Sequence, residues 1–161
     1  MRLGEKPAPR FRVKLPYLLF NLYLYGMLKE LRIRNYAIIN EASISFSGGM
    51  NIITGETGAG KSILLGALSL ILGERAESKV LFNKDKKCVV EGVFDISNYQ
   101  LADFFAANEI DFENETIIRR ELTESGKSRA FINDTPVNLN LIQQLASRLI
   151  TIHSQHETLD L

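Results

Sequence analysis

The sequence feature that most constrains the fold is the run Gly-Glu-Thr-Gly-Ala-Gly-Lys-Ser at residues 55–62. It has the form G-x-x-x-x-G-K-S/T, which binds phosphate where a strand precedes it and a helix follows. A strand-like run at 50–54 leads into it, and an apolar helix-like run at 62–72 leads out. The glycines allow successive backbone N–H groups to form an anion nest, and the helix directs its positive N-terminal end at the same point. The pattern predicts a P-loop; the alternative is a glycine-rich turn between a strand and a helix.

The residue types within this motif predict separate roles. Lys61 would reach the β- and γ-phosphates of a nucleoside triphosphate, and we assign it the catalytic role. Ser62 would supply a hydroxyl to Mg²⁺. The candidate nucleotide contacts are the eight motif residues and the next one: Gly55, Glu56, Thr57, Gly58, Ala59, Gly60, Lys61, Ser62 and Ile63.

Composition limits the class of protein but does not identify a partner. A length of 161 residues fits one domain or part of one, and 45% hydrophobic residues suffice for a core. The net charge is zero, although residues 1–34 carry +6 and the remainder −6, so composition alone does not argue for nucleic acid. Cys88 is the single cysteine, which excludes an intrachain disulfide and favours a reduced, cytoplasmic setting.

The first 26 residues are predicted to be an upstream extension outside the fold. They combine a basic start with an apolar run, which a signal peptide would also show. Pro16 and Asn21 interrupt that run, no A-x-A-like site follows, and the run is too short to span a bilayer. We therefore place the domain at residues 27–161 and expect no membrane association.

The residues before the motif predict two strands that feed a buried third one. Apolar and polar residues alternate over 28–34, with one slip at Glu30, and again over 42–46. A turn is expected at Asn35-Tyr36 and another at 47–49. The more continuously apolar run at 50–54 suits a central strand. This order predicts a mixed sheet and not a purely alternating βαβ arrangement.

The sequence from Leu31-x-Ile33-x-Asn35-Tyr36 through the motif to Leu64 resembles the N-terminal end of the RecN family of bacterial DNA repair proteins. The run Thr-Gly-Glu-Thr-Gly-Ala-Gly-Lys-Ser-Ile-Leu is highly characteristic of that family, as is the Leu-Gly-Glu-Arg-Ala run at 72–76. The family belongs to the SMC-like branch of the ABC-type ATPases. The resemblance implies an α/β P-loop NTPase fold of the ABC/SMC type, a half-head with a mixed central sheet and an antiparallel β subdomain.

The resemblance also implies cofactors, partners and two further site residues. ATP and Mg²⁺ are the expected cofactors. Arg75 follows the helix where such proteins approach nucleotide or DNA; an exposed arginine near a helix end is the equal alternative. Gln155 occupies the position of the Q-loop glutamine, an Mg²⁺ ligand, although Ser154 stands where the family usually has Gly. The implied partners are the C-terminal lobe of the same head, a second head in a homodimer and, for the parent, DNA; the parent would be cytoplasmic and nucleoid-associated.

The second half of the chain reads as a β subdomain. Strands are predicted at 88–95, 116–122, 128–133 and 149–153, with a turn at 125–127 and another at Asn133-Asp134. One helix capped by Ser97 would extend to Ala107, and another capped by Asn138 would cover 139–149. The Lys-Asp-Lys-Lys run at 84–87 favours a solvated turn over a DNA-facing patch. His153 and His156 lack a third ligand, so structural roles are favoured over metal binding.

The resemblance covers residues 27–161 and implies the first lobe of a head. The printed sequence has no sustained heptads and no run of four aliphatics ending in Asp-Glu, so no general base can be assigned. We expect this chain to bind ATP without efficient hydrolysis, within a parent that acts in double-strand-break repair and recombination through ATP-driven head engagement. The alternatives are a lobe of another SMC-like or ABC-type ATPase, such as a RecF-like loader or a transporter subunit, and a nucleotide-gated interaction domain without turnover.

Overall fold

A computed structural model describes residues 27–48, 51, 59–75 and 80–149 of the chain. These residues form six strands and three helices. In chain order they are β1 (Leu28–Tyr36), β2 (Ile39–Ser45), α1 (Ala59–Ile71), β3 (Cys88–Asp95), α2 (Ala102–Ala107), β4 (Glu115–Leu122), β5 (Ser128–Ile132), β6 (Thr135–Val137) and α3 (Leu139–Leu149).

The six strands form one sheet in the order β2-β1-β3-β4-β5-β6, and every pairing among them is antiparallel. This sheet with α1 on it agrees with the predicted α/β fold and its antiparallel subdomain. The strand predicted at 50–54 lies outside the described residues, apart from Asn51, which is not in a strand. The mixed character of the sheet, which depends on that strand, stays a prediction.

One face of the sheet is covered by helices. α1 packs over β1, β3 and β4, while α3 packs over β5. Side chains alternate along a strand, so every second residue of β4 is buried in this core, whereas β3 is buried along most of its length. Burial stabilises the fold by about 25 cal/mol per Å² of apolar surface removed from water. The fully buried apolar side chains of strands and helices include Leu31, Ile33, Ala67, Ile71, Val90, Phe94, Ile118, Ile132, Ile142 and Leu145.

The first hairpin corrects one predicted turn. β1 continues through Asn35 and Tyr36, and the two turn residues are Ala37 and Ile38. Asn35 has turn chemistry, with a φ of 55°, but its side chain binds the backbone of the 83–86 loop. The predicted slip at Glu30 is confirmed, because the β1–β3 register shifts between Leu28 and Glu30.

The second half adds one strand that the sequence did not predict. β6 is a three-residue edge strand with Pro136 at its centre, and proline in a run normally argues against a strand. At the edge of a sheet its missing N–H leaves no ladder bond unmade. The turn at Asn133 and Asp134 is confirmed; both have positive φ, 47° and 64°, as a two-residue hairpin turn requires.

The predicted helix caps had different outcomes. Asn138 caps α3, because its Oδ1 accepts a hydrogen bond of 2.8 Å from the N–H of Leu141. Ser97 does not cap α2, which begins five residues later; its hydroxyl instead donates to Asp95 at 2.6 Å. The predicted strand at 149–153 is wrong at Leu149, which is the last residue of α3. The rest of that strand lies outside the described residues.

Candidate nucleotide-binding site

The described part of the predicted P-loop is the first turn of α1. The helix begins at Ala59, so Gly60, Lys61 and Ser62 all lie in its first turn. Gly60 and Ser62 are exposed and Lys61 is half-buried, whereas Ile63 packs against the core. The apolar residues from Leu64 onward anchor the helix to the sheet. The apolar residues of α1 thus pack the helix on the sheet, while Gly60 and Ser62 in its N-terminal turn stay accessible to solvent.

The electrostatics of this turn suit an anion. The first turn of α1 contains no acidic residue, so no carboxylate within that turn opposes the positive end of the helix dipole. Among the described residues, Lys61 has no ion-pair partner. A Cβ built on Gly60 would meet no atom within 4 Å, so the space beside the backbone is open. An ammonium and the backbone N–H groups of a first helical turn suit a phosphate, and a hydroxyl oxygen suits its Mg²⁺.

Several predicted site residues lie outside the described part of the chain. They are Gly55, Glu56, Thr57 and Gly58 of the motif, and Gln155. His153 and His156 lie there too. The side chain of Ala59 is also not described, although its backbone begins α1. The structure therefore brings together Lys61, Ser62 and the end of a helix, and the remaining contacts stay predictions.

The other end of α1 is closed by Gly73. Gly73 has a φ of +98°, and the Glu74 N–H donates to the Ser69 carbonyl at 3.0 Å across the helix end. This pattern is the left-handed C-terminal cap in which glycine avoids a steric cost. A Cβ at this position would also meet Gln143 Cγ at 2.4 Å, so α3 packs directly on the cap.

Arg75 lies at this closed end and is exposed. Lys61 and the end of α1 at Ile71 are separated by ten residues, which corresponds to about 15 Å of helix at 1.5 Å per residue. Among the described residues, Arg75 makes no hydrogen bond or ion pair, and α1 holds it at the opposite end from Lys61. Its predicted contact with nucleotide or DNA remains a prediction.

A residue that the sequence reasoning missed is Arg120 on β4. Only 1% of it is exposed, and its Nη1 donates to the carbonyls of Leu70 at 2.9 Å and Glu74 at 3.0 Å. Its Nη2 donates to Ser128 Oγ at 2.6 Å. Burial lowers the pKa of this guanidinium from its ordinary value. The signal was in the sequence, because Arg120 occupies an inward position in the alternation of β4, between Ile118 and Leu122.

The lysine-rich run is a turn, as predicted, and is built on a buried asparagine. Asn35 Nδ2 donates to the carbonyls of Asn83 at 2.8 Å and Lys86 at 2.7 Å, and Asn35 Oδ1 accepts from the Asn83 N–H at 2.6 Å. Lys84 and Lys86 are exposed, while Lys87 pairs with Glu121 at 3.0 Å. These contacts account for the run as an ordered surface loop.

The open face of the sheet carries compensated charge. Arg119 lies among Glu91 at 3.7 Å, Glu121 at 3.7 Å and Asp134 at 2.8 Å, and its guanidinium stacks over the Phe131 ring at 4.5 Å. Paired charges of both signs create no net positive stripe. Within the described ranges, no helix has the length and apolar character needed to cross a membrane.

Comparisons with known proteins identify the family of the chain. The AAA domain family model matches residues 30–161. The DNA repair protein RecN of Vibrio cholerae is 44% identical over 131 residues, and RecN of Bacillus subtilis is 39% identical over 133 residues. Each match covers 81% of this chain but 24% and 23% of the relative, so the chain spans about a quarter of the length of these proteins. The resemblance to the N-terminal end of RecN is thereby confirmed.

A solved structure gives the same result for the fold. A chain from a study of ATP-driven dimerization and DNA-stimulated activation of SMC ATPases superposes with a TM-score of 0.62. The superposition covers 77% of this chain and 80% of that one, at 21% sequence identity. At this identity the likeness concerns the fold, and it confirms the predicted SMC-type head architecture.

Proposed function

Because the chain belongs to the AAA domain family, we propose that it is the ATP-binding N-terminal lobe of a RecN-like protein that acts in DNA double-strand-break repair and recombination. The observation that carries this proposal is the open first turn of α1, which presents Lys61 and Ser62 and contains no acidic residue. The names of the relatives, DNA repair protein RecN, support the cellular role. The parent would act in the cytoplasm, at the nucleoid.

Each residue of the site has a role in this proposal. The Lys61 ammonium would pair with the β- and γ-phosphates, and the Ser62 hydroxyl and the Gln155 amide oxygen would hold Mg²⁺, which would supply positive charge to the phosphates. The motif amides from Gly55 to Gly60 bind the remaining phosphate oxygens. Ser62 is exposed and its helix is anchored by buried Leu64 and Leu68, which supports its role in this site.

Hydrolysis requires groups beyond these residues. A water-orienting residue and further positive charge must come from an opposing surface, because phosphoryl transfer depends on stabilising charge in the transition state. We propose that the C-terminal lobe of the same head and a second head supply them when ATP brings two heads together. The solved SMC-type chain, from a study of ATP-driven dimerization, supports this arrangement by its fold.

The test measures ATP binding and ATP turnover by this chain in the same preparation. We expect saturable binding of Mg²⁺-ATP with turnover at the buffer background. The variant Ser62→Ala should lose most of the Mg²⁺-dependent gain in affinity, whereas Ser69→Ala on the same helix should behave as wild type. Robust turnover by the chain alone would contradict the half-head, and absence of ATP binding would contradict the proposal as a whole.

A further inference from the structure

The C-terminal end of α1 is held from outside the helix by residues far along the chain. A helix leaves its last four carbonyls without intrahelical partners. Here Arg120 binds the carbonyl of Leu70 in the last turn and that of Glu74 just beyond the helix, and Gln143 Nε2 donates to the carbonyl of Gly73 at 2.8 Å. We call these two side chains, Arg120 and Gln143, the α1 clasp. It joins the helix end to β4 and α3, which lie 46 to 70 residues away in sequence.

An arginine at position 120 carries a cost in desolvation and offers a specific hydrogen-bonding geometry. A buried guanidinium loses hydration, and a hydrophobic side chain of similar volume often stabilises a protein equally well. The planar fork of arginine donates to two carbonyls from Nη1 and to a hydroxyl from Nη2, a geometry that the single nitrogen of lysine does not reproduce. Its third partner, Ser128 Oγ on β5, fixes the fork from the opposite side. Bulk stability therefore does not explain the residue, whereas precise placement of the helix end does.

We propose that Arg120 is a positioning residue, which fixes the end of α1 and the segment bearing Arg75 relative to the β4–β5 hairpin. The part of this inference that concerns ATP rests on the proposed function. α1 carries Lys61 in its first turn, so a rotation of the helix about its axis or a shift along it moves the ammonium. The clasp prevents such movement at the one end of the helix that a phosphate does not hold.

The first experiment is amide hydrogen exchange on the chain without ligand. The N–H groups of Leu72, Gly73 and Glu74 donate to carbonyls within α1 and report directly on its end. In Arg120→Met we expect these amides to exchange about tenfold faster, because the loss of one or two hydrogen bonds lowers the free energy of local opening by about the corresponding amount. Arg129→Met, an exposed arginine on the neighbouring strand, is the matched control and should leave them unchanged.

A second variant guards against loss of folding. Arg120→Lys keeps the charge but has no fork, so it should give an intermediate increase at Leu72, Gly73 and Glu74. The amides of the β1–β2 hairpin, which do not contact Arg120, should exchange as in wild type. Unchanged exchange at the helix end in whichever of the two Arg120 variants folds would overturn the proposed role of the clasp. A uniform increase in exchange over the whole chain would overturn it too.

The second experiment tests positioning by ATP affinity. The measurement is made in buffer without denaturant, at a temperature where both variants are folded. Arg120→Met should weaken Mg²⁺-ATP binding several-fold, since a small displacement of a binding group is sufficient to lower affinity. Arg120→Lys should recover part of the affinity, and Arg129→Met should lose none. Faster exchange with unchanged affinity would refute the positioning role. If wild type itself binds no ATP, the proposed function fails, and the exchange result alone decides the clasp.

Discussion

Substitution of Gly73 by alanine should destabilise the chain more than the same substitution at any open left-handed glycine. The backbone at Gly73 has a φ of +98°, where a side chain costs about 1–2 kcal/mol. An added Cβ would also lie 2.4 Å from Gln143 Cγ and 3.2 Å from the Gln143 backbone nitrogen. Overpacking of this kind costs about 1–3 kcal/mol. The two effects together give a loss of about 2–5 kcal/mol.

Gly126 provides the matched control for this prediction. It has a φ of +75°, and a Cβ built there would meet nothing within 4 Å. Gly126→Ala should therefore show only the backbone cost of about 1–2 kcal/mol. The measurement is the free energy of unfolding from urea titrations, with the m-value checked for constancy.

A double variant separates the clash from the backbone strain. Gln143→Ala removes the side chain that Gly73→Ala would strike, so the double variant should be less destabilised than the sum of the single losses. The gain should be about 1 kcal/mol or more, since the remaining contact is with backbone. Equal losses at Gly73 and Gly126, or strict additivity with Gln143→Ala, would refute the packing of α3 on the end of α1.

Three further predictions concern the rest of the described fold. Asn138→Ala should lower the free energy of unfolding by about 1 kcal/mol through loss of the α3 cap, whereas Asn140→Ala should change it little, as thermal or urea unfolding would show. Cys88 is fully buried and burial raises its pKa to about 11, so a thiol reagent at neutral pH should label it only under denaturing conditions; rapid labelling of the native chain would contradict its placement. The Ser97 hydroxyl and other donors hold the pKa of Asp95 at about 2, below its ordinary 3.8, so this carboxylate stabilises the fold above pH 3.8 and the contribution is lost as the pH falls towards 2. Asp95→Asn should make the acid limb of an unfolding-versus-pH curve shallower, and an unchanged limb would contradict this contribution.

The strands and helices were predictable where local pattern and tertiary environment agree. The alternation in β1 and β2 and the all-round apolar character of α1 each match a single period, and Asn138 and Gly73 have cap chemistry at the right places. Where tertiary contacts compete with local chemistry, the prediction from the sequence was wrong. Asn35 has the composition of a turn but satisfies its amide on a loop 48 residues away, so the strand continues past it.

The site was predictable only in its local part. The motif predicted an open helix start at Lys61 and Ser62 because both the glycines and the helix dipole act within a few residues. Arg120 was missed because its partners, Leu70 and Glu74, lie 50 and 46 residues away in the sequence. In addition, a charged residue in a strand is normally predicted to face solvent. β6 was missed because Pro136 is acceptable only at a sheet edge, and edge position is a property of the whole topology.

The most direct test of the central claim is the affinity of this chain for Mg²⁺-ATP with and without the Lys61 side chain, measured by isothermal titration calorimetry. Lys61→Ala should abolish or greatly weaken binding while the urea midpoint stays at the wild-type value, because the half-buried side chain makes no described ion pair. Lys127→Ala, in the exposed hairpin turn after β4, should bind as wild type. ATP affinity that is unchanged in Lys61→Ala would contradict the assignment of α1 as a nucleotide-binding helix.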